Sequence, residues 1–167
     1  SVERKASDSA KTDWNNYKGM NQIADVQEDN LTSESFGAEE SADASKWYLS
    51  YNSNGTGGNA SIKSEKDATG ATWAKIGITE VGSQDYSVQM IGHYDAKAGY
   101  LYKISFDAYA DGNIVGKTVN CDSKEWSGWS TYGITSFDLT DTPKNYSYFV
   151  NQTEDFNKCR IEFNLGA

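Results

Sequence analysis

The sequence predicts an all-β fold, either a sandwich or a barrel. From residue 30 onward, short runs of alternating apolar and polar residues are separated by clusters of Gly, Asn and Asp, which is typical of a β-sandwich or barrel. Turn dipeptides such as Asn54-Gly55 and Asp111-Gly112 lie between these runs. No stretch longer than about ten residues has the period of an amphipathic helix.

The alternating runs give the bounds of the candidate strands. They are residues 31–36, 46–51, 59–64, 73–79, 86–91, 100–109, 114–121, 131–139, 144–151 and 158–165. We therefore expect one β-sandwich domain over residues 30–167. Residues 1–29 are charged and show no sustained alternation, which indicates a linker or an appended segment. Its first residues, 1–4, could also serve as a permuted strand of the sandwich.

Two candidate strands have side chains that separate clearly into two faces. In residues 100–109, Tyr102, Ile104 and Phe106 share one face, because successive side chains of a strand point to opposite sides. In the last candidate strand Ile161, Phe163 and Leu165 point inward. Arg160, Glu162 and Asn164 then form a row on the other face, which is either a hydrogen-bonding strip or an ordinary solvated surface.

Composition and charge exclude several classes of partner. The formal net charge is -9, and neutralising phosphates requires Lys and Arg, so we expect neither nucleic acid nor an anionic membrane as a partner. Aromatic residues make up 13% of the chain, although its mean hydropathy is only -0.71. Tyr and Trp offer a flat apolar face beside a polar tip. This composition suits either an uncharged sugar partner or ordinary β-strands rich in Tyr.

The cysteines and the histidine favour no metal site. Cys121 and Cys159 both fall in strand-like stretches, where they either form a disulfide or stay as thiols. Two cysteines are too few for a structural zinc site. His93 is the only histidine, and we expect it at the surface.

Stretches of the chain resemble, in order, the carbohydrate-binding modules of families 4 and 9 and their relatives in families 16 and 22. The most specific is AGYLYKISFDAYA at 98–110, which is similar to a long strand of that group. The others are NLTSESF at 30–36, KWY at 46–48 and RIEFNLG at 160–166. Together the four stretches span residues 30–166.

The resemblance implies a jelly-roll β-sandwich of two antiparallel sheets, with a concave cleft that takes a single glycan chain. Tyr86 and Gln89 match the aromatic-x-x-Gln segment of these modules, where the aromatic ring stacks on a sugar and the amide bonds to hydroxyls. Trp126 is the first choice for a second stacking aromatic, and Trp129 the second. Glu162 matches a polar cleft position, whereas Asn164 follows it by alternation alone. Arg160 is a further hydrogen-bonding candidate, and Trp47 is expected in the core.

The resemblance also implies a biological setting. Such a module has no catalytic residues, requires no cofactor, acts as a monomer and targets a glycoside hydrolase domain on the same parent chain. We expect a secreted bacterial protein that binds xylan or a β-1,4-linked or mixed-linkage glucan. The family's final strand, which helps to hold a structural calcium ion, has no counterpart after Gly166, so a calcium site stays undecided.

Two other functions remain open from the sequence. Glycosidases use two carboxylates roughly 5–10 Å apart, and Glu125 with Glu162 would be a candidate pair, although neither lies in a catalytic motif. A structural or adhesion domain is the other alternative, because Tyr-rich sandwich surfaces also serve protein interfaces.

Overall fold

The computed structural model of the protein describes residues 2–6, 21–24, 36–37, 47–122 and 131–167. Of residues 2–6, 21–24 and 36–37, it describes the backbone. The strands are β1 (Val2–Ala6), β2 (Asn21–Ala24), β3 (Phe36–Gly37), β4 (Trp47–Tyr51), β5 (Asn59–Lys66), β6 (Thr72–Glu80), β7 (Val88–Ala96), β8 (Tyr100–Ala108), β9 (Ile114–Asp122), β10 (Thr131–Leu139), β11 (Lys144–Asn151) and β12 (Phe156–Asn164). Short 3₁₀ turns occupy Ser53–Gly55 and Asp85–Ser87. The prediction of an all-β chain is therefore confirmed. Within the described ranges, no helix has the length and apolar character that a membrane span needs.

The chain divides into two compact units, and the long strands β7 and β12 run through both. The first unit comprises Ser1–Asp25 and Tyr94–Ile161, and the second comprises Val26–His93 and Glu162–Ala167.

The first unit contains a four-stranded sheet in the order β11-β8-β1-β2, and strands in the order β10-β9-β12-β7. In the four-stranded sheet β8 pairs antiparallel with both β11 and β1. Residues 2–6, which the sequence placed in a linker or a permuted strand, thus form a strand beside Tyr100–Ile104.

The apolar core of the first unit follows the alternation predicted for residues 100–109. Tyr102 and Ile104 are buried, and the Phe106 ring stacks on Tyr146 and meets Phe137 edge-on. Leu101, whose side chain points to the opposite face of the strand, is also buried. The pattern therefore identifies the core face of this strand but not the full extent of its burial.

The second unit contains strands in the order β12-β7-β4-β3 and a separate two-stranded hairpin, β5-β6. Strand β4 pairs antiparallel with β7, so that Tyr48 lies opposite Ile91 and Ser50 opposite Gln89. The core of this unit joins sheet and hairpin, because Leu49 of β4 and Val88 of β7 pack with Ala60 of β5.

The turn of the β5-β6 hairpin is organised by Asp67. Its carboxylate accepts hydrogen bonds from the Thr69 backbone and hydroxyl, the Ala71 backbone and the Trp73 indole, at 2.6–3.1 Å. Gly70 completes the turn at φ +89°, a conformation that favours glycine. The Gly70 N–H donates to the Asp67 carbonyl.

Candidate functional site

A hydrogen bond between two amide side chains marks the candidate site in the second unit. The Gln89 Nε2 group donates to Asn164 Oδ1 at 2.8 Å. Gln89 is 9% exposed and Asn164 is 3% exposed, so the bond is shielded from water. Strands β7 and β12 thereby bring together two predicted site residues that are 75 positions apart in the sequence.

Further polar side chains lie on the same side of these strands, which we call the Gln89 side. It comprises Tyr48, Ser50, Gln89, Ile91, His93, Glu162 and Asn164, as their strand positions require. Glu162 is 4% exposed. The rings of Tyr48 and His93 meet edge-on with their centroids 6.2 Å apart. The Gln89 side thus combines planar amide and carboxylate groups with aromatic rings.

The opposite side of the same strands is apolar, so the polar residues of the Gln89 side point away from these apolar contacts. Trp47 packs against Phe163 with their ring centroids 6.1 Å apart. Gly92 lets the Trp47 indole approach the β7 backbone, since a Cβ at this position would lie 2.5–2.7 Å from the ring carbons. The expectation that Trp47 belongs to the core agrees with these contacts.

The structure excludes one sequence-based alternative about burial and corrects one expectation. Glu162 and Asn164, and Arg160 in the first unit, are each less than 7% exposed, so none of the three lies on a solvated face. His93 was expected at the surface, but it is 7% exposed and lies on the Gln89 side. Alternation correctly placed Glu162 and Asn164 on one side of their strand. It carried no information about whether other parts of the chain bury that side.

Tyr86 lies in the 3₁₀ turn that leads into β7. Its side chain is 38% exposed, in contrast to Gln89 three residues later. The turn is held by two reciprocal hydrogen bonds between Gln84 and Ser87. The C-terminal residues add two more bonds, from the Gly166 N–H to the Asp85 carbonyl and from the Ala167 N–H to the Gln84 carbonyl.

The first unit also has polar side chains with buried atoms, and sequence reasoning missed two of these residues. Arg160 lies on β12, and Asn120 and Asp122 alternate on β9 with the buried Val119 and Cys121. The Oδ1 atoms of Asn120 and Asp122 are buried, and no donor from the described part of the chain reaches either atom. The alternation within residues 118–122 was the signal that could have identified them.

Three other predicted residues fall outside the described ranges. They are the stacking candidates Trp126 and Trp129, and the alternative catalytic residue Glu125. Their roles therefore stay predictions. Among the residues that are described, no cluster of three or more His, Cys, Asp or Glu side chains could hold a metal ion.

Comparison with solved structures identifies the fold. No family model and no curated protein matches the chain. A solved structure described as "CBM4 structure and function" matches with a TM-score of 0.62 and 20% sequence identity, covering 77% of this chain and 81% of the other. This chain has the fold of a family 4 carbohydrate-binding module. The predicted β-sandwich is thereby confirmed.

A second solved structure also matches the chain, with a lower TM-score. It is described as "BiXyn10A CBM1 APO" and matches with a TM-score of 0.43 and 18% identity, over 71% of this chain and 86% of the other.

Proposed function

We propose that the chain binds a polysaccharide without cleaving it, and that the Gln89 side is a contact surface for the sugar. The observation that carries the proposal is the hydrogen bond between Gln89 and Asn164, two amides on the side of the strands that also carries Glu162. The family 4 fold supports the same function.

The chemistry of these side chains suits sugar hydroxyls. Burying a polar group is unfavourable unless it is hydrogen-bonded, and amide and carboxylate groups are planar acceptors or donors that can bind two adjacent hydroxyls at once. The bond between Gln89 and Asn164 holds both amides in place before a ligand arrives. Such preorganisation reduces the entropy lost on binding.

Aromatic stacking would supply the rest of the affinity. Tyr86 is exposed and immediately precedes the strand that carries Gln89, so its ring is available to the apolar face of a sugar. Trp126, with Trp129 as the second choice, is proposed as the other stacking residue.

The ligand we propose is a single chain of xylan, of a β-1,4-linked glucan or of a mixed-linkage glucan. The net charge of -9 suits an uncharged polymer. We further propose that the protein is secreted and monomeric, and that it directs a glycoside hydrolase domain of the same parent chain to its substrate.

Affinity electrophoresis in native gels that contain xylan, mixed-linkage β-glucan or hydroxyethylcellulose tests the proposal. We expect retardation in at least one gel, and no release of reducing sugar when the protein is incubated with that polymer. Absence of retardation in every gel would argue for a structural or adhesion domain. Release of sugar would show catalysis instead.

A matched pair of asparagine variants tests the site itself. Asn164→Ala removes a buried amide of the Gln89 side, and we expect affinity to fall about fivefold or more, because one lost hydrogen bond to a ligand is worth about 1–3 kcal/mol. Asn145→Ala is the control, since Asn145 is an exposed β11 residue whose amide donates to Asp107 at 2.7 Å. Thermal unfolding of both variants verifies the fold. Equal affinities of Asn164→Ala and the parent protein would remove Asn164 from the site.

A further inference from the structure

The first unit buries two thiols on neighbouring strands. Cys121 lies on β9 and Cys159 on β12, which are adjacent in the sheet. Both side chains are completely buried. The glycan-binding proposal uses neither of them.

The two thiol groups approach the same place in the core. The Cys121 Sγ atom lies 3.1 Å from the Tyr148 hydroxyl. The Cys159 thiol donates to the carbonyl of Asp122, the residue next to Cys121, at 3.4 Å. Burial raises the pKa of the Tyr94 hydroxyl well above its usual value, and both cysteines add to this effect, which places Tyr94 beside both.

Cysteines on neighbouring strands come within the span of a disulfide where they lie opposite each other. Neighbouring strands lie about 4.7–4.9 Å apart, and a disulfide joins residues whose Cα atoms are about 4.4–6.8 Å apart. We propose that Cys121 and Cys159 are a latent disulfide pair, which closes when the chain folds in the presence of a disulfide oxidant such as oxidised glutathione.

The reaction is an ordinary thiol–disulfide exchange. A bond forms between the two Sγ atoms and the sulfur–sulfur bond of oxidised glutathione breaks, so that two molecules of glutathione leave with the two protons and two electrons of the thiols. Because both thiols are completely buried in the folded unit, the exchange takes place while β9 and β12 are still accessible. The same burial then protects the finished bridge from reductants.

The bridge stabilises the chain by restricting its unfolded state. It closes a loop from residue 121 to residue 159, and a loop of about 40 residues gives a substantial loss of unfolded-state entropy. We expect the oxidised protein to unfold at a temperature about 5–10 °C above that of the reduced protein.

Refolding in two redox buffers tests the proposal. The protein is unfolded in urea, refolded with a glutathione redox buffer or with excess reductant, and then denatured and labelled with a maleimide. Intact-mass measurement should find no label and a mass about 2 Da lower after oxidation, and two labels after reduction. Two labels after oxidation, or a mixed disulfide with glutathione as the end product, would overturn the proposal.

Variants separate the bridge from general effects of the buffer. In Cys121→Ala and in Cys159→Ala, the unfolding temperature should not differ between the two redox buffers, because neither protein can close the bridge. A redox-dependent shift that persists in either variant would also contradict the proposal. If a variant fails to fold, maleimide labelling of the parent protein still tests the proposal, because it does not depend on the variants.

Discussion

A single carboxylate organises the turn between β5 and β6. The hydrogen bonds from the Thr69 hydroxyl and the Trp73 indole lower the pKa of Asp67 to about 2. The ionised form is therefore the one that the folded hairpin prefers. Because an unfolded Asp titrates near pH 4, Asp67 stabilises the fold above about pH 4, and this contribution is lost as the pH falls toward 2.

Asp67→Asn should reveal this contribution. The variant places an amide donor against the Trp73 indole N–H, so we expect it to be less stable than the parent protein at pH 6. The difference in urea midpoint should shrink as the pH falls from 4 to 2. Asp111→Asn, at an exposed turn residue, is the control. A difference that stays constant with pH would show that ionisation of Asp67 is irrelevant.

The proposed role of Trp126 leads to a second prediction for a single residue. We expect Trp126→Ala to abolish retardation in glycan gels, because stacking on the sugar face is lost, and to leave the near-ultraviolet circular dichroism close to that of the parent protein. If the dichroism collapses instead, Trp126 is a core residue and its proposed role in stacking is wrong.

Most strand bounds could be predicted from the sequence, because turn residues interrupt the alternation at the strand ends. The predicted strands 131–139 and 144–151 have the bounds of β10 and β11, because Asp141 and Pro143 interrupt the alternation between them. Strand β12 also follows its predicted alternation. The strand predicted over 86–91 is wrong in its bounds, because Tyr86 belongs to a 3₁₀ turn and β7 runs over Val88–Ala96. Periodicity is a local property, so it finds a strand and its two faces without knowledge of its neighbours.

Local alternation could not predict which distant strands pair with each other, or which side chains become buried as a result. The contact between Gln89 and Asn164, and the buried oxygens of Asn120 and Asp122, depend on which distant strands become neighbours. The burial of His93 has the same origin. Two of these residues were predicted as site residues only through the family resemblance and strand alternation.

The close contact between β7 and Trp47 predicts different effects for two glycines in strands. Gly92→Ala would bring a Cβ to 2.5–2.7 Å from the Trp47 ring, and overpacking of this kind is destabilising by about 1–3 kcal/mol. Gly77→Ala is the control, because its Cβ would meet only the Ser61 hydroxyl at 3.2 Å. Urea denaturation of both variants checks the prediction. Equal stabilities would mean that the Trp47 ring moves aside without loss.

For the whole molecule, the net charge of -9 bears on the nature of the ligand. Binding of an uncharged glycan involves no ion pairs, so its affinity should change less than about twofold between 0.05 and 0.5 M NaCl, measured by calorimetry. Polygalacturonate, an acidic polymer, serves as the control. We expect it to give no binding signal in the same calorimetric measurement and no retardation in native gels. A steep loss of affinity with salt would indicate a charged ligand and contradict the proposed one.

The bonds from Gly166 and Ala167 to the backbone of Gln84 and Asp85 have a practical consequence. Anything fused after Ala167, such as an affinity tag, a fluorophore or a surface tether, begins beside the turn that carries Tyr86. Substituting Gly166 is equally unsuitable, because a Cβ there would clash with the Gln84 carbonyl oxygen. Immobilisation for binding measurements should therefore use the tip of the β5-β6 hairpin, where Ala68 and Thr69 are exposed.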